Sequence, residues 1–258
     1  VEGGRFDEAI AALGEASDAE ALYLLGRAWA GKAASAPVPT PLPGSGQPAA
    51  ALLKPEEERA IAFFARAVAL RPDHAAAHLA TAELLAPHAL ALAGSGRSGA
   101  GVPGGAEASI ERVLRAYADA VASDLEGTEA VEGLIRFATA AGRAREADAA
   151  FEELARRRRE DPSVLVRHGD FLAGPGGDPE RALARYAQAL IWRPDDTATR
   201  LRMAAIHLDA ARSLLGQQQY AAAEARLREA RKHAVVPSSP EAARLRELEA
   251  HLRDIRGR

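Results

Sequence analysis

The strongest constraint on this chain is a short pattern that occurs twice. It reads AIAFFARAVALRPDH at Ala60–His74 and ALARYAQALIWRPDD at Ala182–Asp196. The first copy sets Ala60, Phe64 and Ala67 ahead of Pro72, and the second sets Ala182, Tyr186 and Ala189 ahead of Pro194. Steps of four and three keep the first three residues of each set on one helix face. Two alanines let a neighbouring helix approach closely, and the ring between them fills the groove so formed. Burial of such a ring contributes roughly 1.5–3 kcal/mol. The proline lacks an amide proton and turns the residue before it away from helix, so the pattern is a packed helix with its own stop.

Fainter copies stand at Ala9, Leu13 and Ala16; Val113, Tyr117 and Ala120; Ala147, Phe151 and Leu154; and Ala223, Leu227 and Ala230. From Val113 to Ala147 and from Ala147 to Ala182 the steps are 34 and 35 residues; the other intervals are longer. A repeat near that length, too small to bury its own apolar face, is stabilised by stacking on the next one. Composition fits this. Hydrophobic residues make up 48% and aromatics only 5%, so alanine supplies much of the packing surface.

A second pattern marks the other helix of each pair: Leu22, Leu25, Gly26 and Trp29, with looser versions at Val131, Leu134, Ile135 and Ala138; Leu165, His168, Gly169 and Leu172; and Leu201, Ala204, Ala205 and Leu208. Residues His78, Thr81, Ala82 and Leu85 form the poorest version. Together the two patterns resemble the tetratricopeptide repeats over nearly the whole chain. The resemblance implies an all-α, right-handed superhelical array of antiparallel helix pairs, an α-solenoid that binds protein or peptide partners.

Taken in order, the repeats predict one array over 1–258. Residues 1–17 read as the second helix of a truncated repeat. A repeat at 19–74 carries a proline-rich insertion at 33–53, where alternating prolines favour extended backbone. A repeat at 75–127 carries a glycine-rich insertion at 94–105, with Pro87 expected to disturb or end its first helix. Repeats follow at 128–161, 162–196 and 197–236, and 240–256 reads as a capping helix. The chain opens on Val1 and on a helix without its partner, so the reading expects either a longer or processed product, with a signal sequence, an anchor or further repeats upstream, or a trimmed chain. The alanine- and arginine-rich composition suggests a bacterial source and leaves the compartment open between cytoplasm and periplasm.

Chemistry is sparse. There is no cysteine, so no thiol nucleophile, disulfide or cysteine-ligated metal is expected. A net charge of −3 does not favour nucleic acid. No apolar run reaches the ~20 residues that span a bilayer. No phosphate-binding, zinc-protease or serine-elbow motif is found, so no catalytic residue, cofactor or metal is assigned. His74 and His78 stand four apart, a spacing that suits one metal; a turn residue and a partly buried ring are the plainer reading. Arg156–Arg159 reads as a cationic end of a helix spanning 145–159, favoured by the helix dipole.

The resemblance also implies which positions line the groove: the second, fifth, ninth and twelfth of each first helix. Partner contacts are therefore expected at Glu20, Tyr23, Arg27, Glu83, Glu132, Arg136, Asp170 and Arg202, with Thr199 and Asp209 also on that face. Relatives that clamp a chaperone's terminal carboxylate use Lys and Asn there. This chain has Arg27, Glu83, Arg136, Asp170 and Ile206 at its ninth positions, so that activity is not implied. The expected function is a non-enzymatic scaffold that docks a polypeptide in a larger assembly. Two alternatives are an architectural subunit of a multi-protein or membrane complex, using convex surface and loops, and a non-catalytic domain of a larger regulator or enzyme.

Overall fold

The computed structural model describes residues 2–14, 17–37, 40, 52–95, 105–124, 127–234 and 236–256. Among the described residues every regular element is an α-helix. They are α1 (Glu2–Ala12), α2 (Ala19–Ser35), α3 (Pro55–Leu70), α4 (Ala75–Gly94), α5 (Gly105–Ser123), α6 (Glu129–Ala140), α7 (Ala144–Arg157), α8 (Pro162–Ala173), α9 (Pro179–Trp192), α10 (Thr197–Gly216), α11 (Tyr220–His233) and α12 (Pro240–Arg256). The chain divides into two compact units, Val1–Leu154 and Ala155–Arg258, with the boundary in the last turn of α7. Most of the proline-rich and glycine-rich insertions lies outside the described residues.

Sequence fixes where these helices begin. Asp18, Asp161, Asp178 and Asp196 are N-caps whose carboxylates accept from amides at the starts of α2, α8, α9 and α10. His74 does the same for α4 through its ring. Prolines occupy the first turns of α3, α8 and α9, where the missing amide proton costs nothing. The Lys54 amide donates to Glu57 at 2.7 Å, and its ammonium donates to the carbonyls of Ala33 and Ala36 at 2.6 and 2.8 Å. One side chain thus ties the start of α3 to the end of α2 across the insertion. The α6 helix ends on Gly142, whose φ of +71° suits a left-handed cap; the next amide, of Arg143, reaches back to Ala138 at 2.7 Å.

In the first unit α2 packs on α3 and α4 on α5, with α1 against α2 and α5 against α6. In the second, α8 packs on α9 and α10 on α11, and α12 covers both α10 and α11. The small–large–small sets form the seams. Ala60, Phe64 and Ala67 are at most 1% exposed, and Ala182, Tyr186 and Ala189 at most 2%. The sets at Val113, Ala147 and Ala223 are at most 4% exposed. In the first set Ala16 lies outside the described residues, and Ala9 and Leu13 are only half-buried. On α12, Leu245, Leu248 and Leu252 join Leu208, Leu215 and Leu227 in one apolar cluster.

Glycine makes room for the rings. A Cβ added at Gly26 lies 2.6 Å from the Phe64 ring, and one at Gly169 lies 2.5 Å from the Tyr186 ring. In both, the first helix of a pair receives the ring of the second. Tyr117 differs: its ring sits over Gly133 on α6, the helix that follows it, at 2.5 Å from an added Cβ.

Three expectations need correction. Pro87 neither ends nor interrupts α4, which runs on to Gly94. Proline leaves the Glu83 carbonyl without its helical donor, but both residues lie on the exposed side, where water can serve. Buried Leu85, Ala89 and Leu92 hold the helix on either side of the proline in the packed face. The arginine run does not complete a helix over 145–159: α7 stops at Arg157, and Arg158 and Arg159 belong to the turn before Pro162. Thr199 does not face a groove. It is fully buried, and its hydroxyl donates to Asp196 at 2.7 Å.

Candidate functional site

In the first unit the first helices of successive pairs touch: α2 meets α4, and α4 meets α6. Their common face carries Arg27, Glu83 and Arg136, one from each helix and all exposed. Capping explains the alignment. Asp18 and His74 cap α2 and α4, so Arg27 and Glu83 are each the ninth residue of their helix and share a face; α6 starts after Thr128, and Arg136 is its eighth residue.

These groups act on one another. Burial pushes the Glu83 carboxyl above its usual range, and the nearby negative charge of Glu129 pushes it further; Arg136 and Arg27 oppose the shift. Tyr117, beneath the same face, has its phenol raised by burial and by the charge of Glu83, with Arg136 opposing. Glu83 thus sits in the field of Glu129 on one side and of Arg27 and Arg136 on the other.

Glu20 and Tyr23 sit at the other end of the α2 face. Glu20 lies 3.4 Å from the Arg71 guanidinium and 3.5 Å from Nε2 of His74. The Tyr23 ring is half-buried between His74 and Phe64, with centroids 5.0 and 6.0 Å away, and the Arg27 guanidinium lies 6.0 Å from its centre. One edge of Tyr23 therefore belongs to the core. Glu132 is half-buried and has a partner of its own. His74 and His78 turn to different groups. His74 accepts from the Ala77 amide at Nδ1, whereas His78 holds the Pro72 carbonyl through Nε2 at 2.9 Å.

In the second unit Asp170 and Arg202 come together. The Arg202 Nε lies 2.8 Å from Asp170 Oδ1, which also accepts from the Tyr186 hydroxyl at 2.7 Å. Both charged groups remain more than two-fifths exposed at 44% and 42%. Asp209, expected on the same face, is paired with Arg244 of α12 at 2.5 Å.

Among the described residues no helix is long and apolar enough to cross a membrane. No protein-family model matches the chain, and no curated protein matches it. Solved structures do. The crystal structure of YrrB, a TPR protein with an unusual peptide-binding site, is 14% identical; the match covers 74% of this chain and 83% of that one, with a TM-score of 0.41. The crystal structure of MamA is 11% identical over 68% of this chain and 87% of its own, with a TM-score of 0.39. Among the described residues the chain itself shows helices packed in adjacent pairs. The sequence did not reveal Tyr117 beside Glu83, or the position of His74 against Glu20. Only the count from each helix start carried a signal for them, and that count does not say which neighbours a face acquires.

Proposed function

We propose that the chain is a non-enzymatic scaffold whose α2–α4–α6 face docks a polypeptide within a larger assembly. One observation carries this reading: three adjacent helices present Arg27, Glu83 and Arg136 as exposed, electrostatically linked charges. Arginines and a half-buried tyrosine are the residue types that dominate interface energetics. Mixed charge suits selection among partners, since a wrong sign at any position costs affinity. Asp170 and Arg202 offer a second, self-paired polar surface in the other unit.

The test compares the wild-type chain with Arg27→Glu/Arg136→Glu as baits for affinity capture from the native organism. Unchanged helicity with loss of the captured polypeptide is the expected result. Equal recovery by both baits removes the α2–α4–α6 face from the proposal.

A second reading, an architectural subunit docked through other surfaces, is favoured by one observation. Ile191 and Trp192, at the end of α9, are 77% and 56% exposed, and Leu70, at the matching place on α3, is 58% exposed. Large apolar side chains at such exposure suit burial against another chain. Loss of capture by Ile191→Ser/Trp192→Ser, with retention by the charge-reversed bait, selects this reading.

A further inference from the structure

We propose that His207 of α10 and His233 of α11 form an acid-sensitive latch. With both rings neutral the pair helps hold the α10–α11 hairpin closed; uptake of protons by the pair opens it. The two imidazoles lie nearly parallel, at an interplanar angle of 8°, with centroids 6.0 Å apart. His207 is 6% exposed and flanked by buried Met203, Ala204, Leu208 and Ala211. His233 is half-buried at the last turn of α11, after buried Ala230. Each ring keeps its Nδ1 buried with no hydrogen-bond partner.

That arrangement disfavours the imidazolium. A protonated ring donates from both nitrogens. Here the Nδ1 proton has no acceptor, the charge is poorly hydrated, and a second ring stands where its own proton would add like charge. The surrounding charges do not rescue it. Arg226 opposes protonation of His207, and Arg200 and Lys232 oppose protonation of His233. Glu229 favours the cation at both rings and Glu180 at His207. Both carboxylates already hold cations: Glu229 lies 2.7 Å from Lys232, and Glu180 lies 2.6 Å from Arg226. On the covering helix α12, Arg244 is paired with Asp209 and Glu249 with Arg231. Burial is the largest cause holding both histidines below their ordinary value of 6.5.

The sign follows. An open hairpin releases both rings to water, where they bind protons near pH 6.5. The closed hairpin binds them only at lower pH. The contribution of the pair to stability is therefore complete above pH 6.5 and is lost as pH falls below it, because opening takes up protons.

Hydrogen exchange on the full chain between pH 7.5 and 5.0, corrected for intrinsic rate, tests this at the amides of α10 and α11. Below pH 6.5 the opening constant of the wild type should rise toward about 100-fold per pH unit, tenfold for each of two protons. In His207→Gln or His233→Gln the rise should fall to about tenfold per unit, and in the double variant it should vanish. Ring-proton NMR titration of the wild type gives a reading that needs no variant: both rings should titrate below 6.5. The proposal fails if either ring titrates at or above that value. It also fails if wild-type opening is insensitive to pH, or if the double variant keeps the wild-type slope.

Discussion

The Tyr186 hydroxyl donates to Oδ1 of Asp170 across 2.7 Å, from the second helix of a pair to the first. The ring of Tyr186 fills the seam over Gly169 while its hydroxyl ends at a surface carboxylate shared with Arg202. One residue thus joins the core of the pair to its exposed face.

Replacement of Tyr186 by Phe keeps the ring and deletes the bond. The expected cost is about 1 kcal/mol in urea unfolding at pH 7. The alkaline limb carries a second signature. Burial, the Asp170 bond and its charge hold the Tyr186 phenol well above its ordinary value of 10. Stability from this group is full below pH 10 and is lost as pH rises above it. Tyr186→Phe should therefore unfold with a shallower dependence between pH 9 and 11 than the wild type.

Gly26→Ala and Gly169→Ala should each destabilise by about 1–3 kcal/mol, because the added methyl meets a packed ring. Gly94 and Gly216 have nothing within 4 Å of an added Cβ. Alanine there should stabilise by about 0.4–1 kcal/mol, through a less disordered unfolded chain and better helix propensity. Thermal melts of the four variants should separate into two groups of opposite sign.

Pro87→Ala should raise stability by about 1–3 kcal/mol, since it restores a backbone donor in a helix that already runs through the site. Alanine is the best helix former, and the position is exposed, so no packing is lost. A decrease in melting temperature overturns the account of α4 given above.

His74 caps α4 only while Nδ1 is free to accept. Burial and Arg71 hold this ring below its ordinary value of 6.5, and Glu20 opposes them. The cap should be intact above pH 6.5 and weaken as pH falls below it. His74→Asn supplies a cap that does not titrate in this range. Exchange of the amides at the start of α4 should accelerate from pH 7.5 to 5.5 in the wild type and stay level in the variant. The matching residue of the other copy is Asp196, a carboxylate cap for α10.

Much of this fold was legible because its determinants are local. The sets at Ala60, Val113, Ala147, Ala182 and Ala223 lie within single helices, and a helical turn places their members on one face whatever surrounds them. Each described member of these sets is buried. The proline and aspartate stops were equally local, since they act through the backbone of the next few residues. Of the five positions counted as ninth, Arg27, Glu83, Arg136 and Asp170 are exposed and Ile206 is half-buried.

The sequence by itself therefore determined the helices, their buried stripes and most of their ends. Tertiary structure decided which faces meet. Tyr117 turns to Gly133 on the following helix, although a ring in the same register at Phe64 and Tyr186 turns to the preceding one. Asp170 finds Arg202, Asp209 finds Arg244, and His207 lies beside His233. Such pairs depend on the rotation and spacing of whole helices, which are set when many side chains pack together. The periodicity of one helix has no record of its neighbour's rotation, so no stretch of sequence could specify them alone.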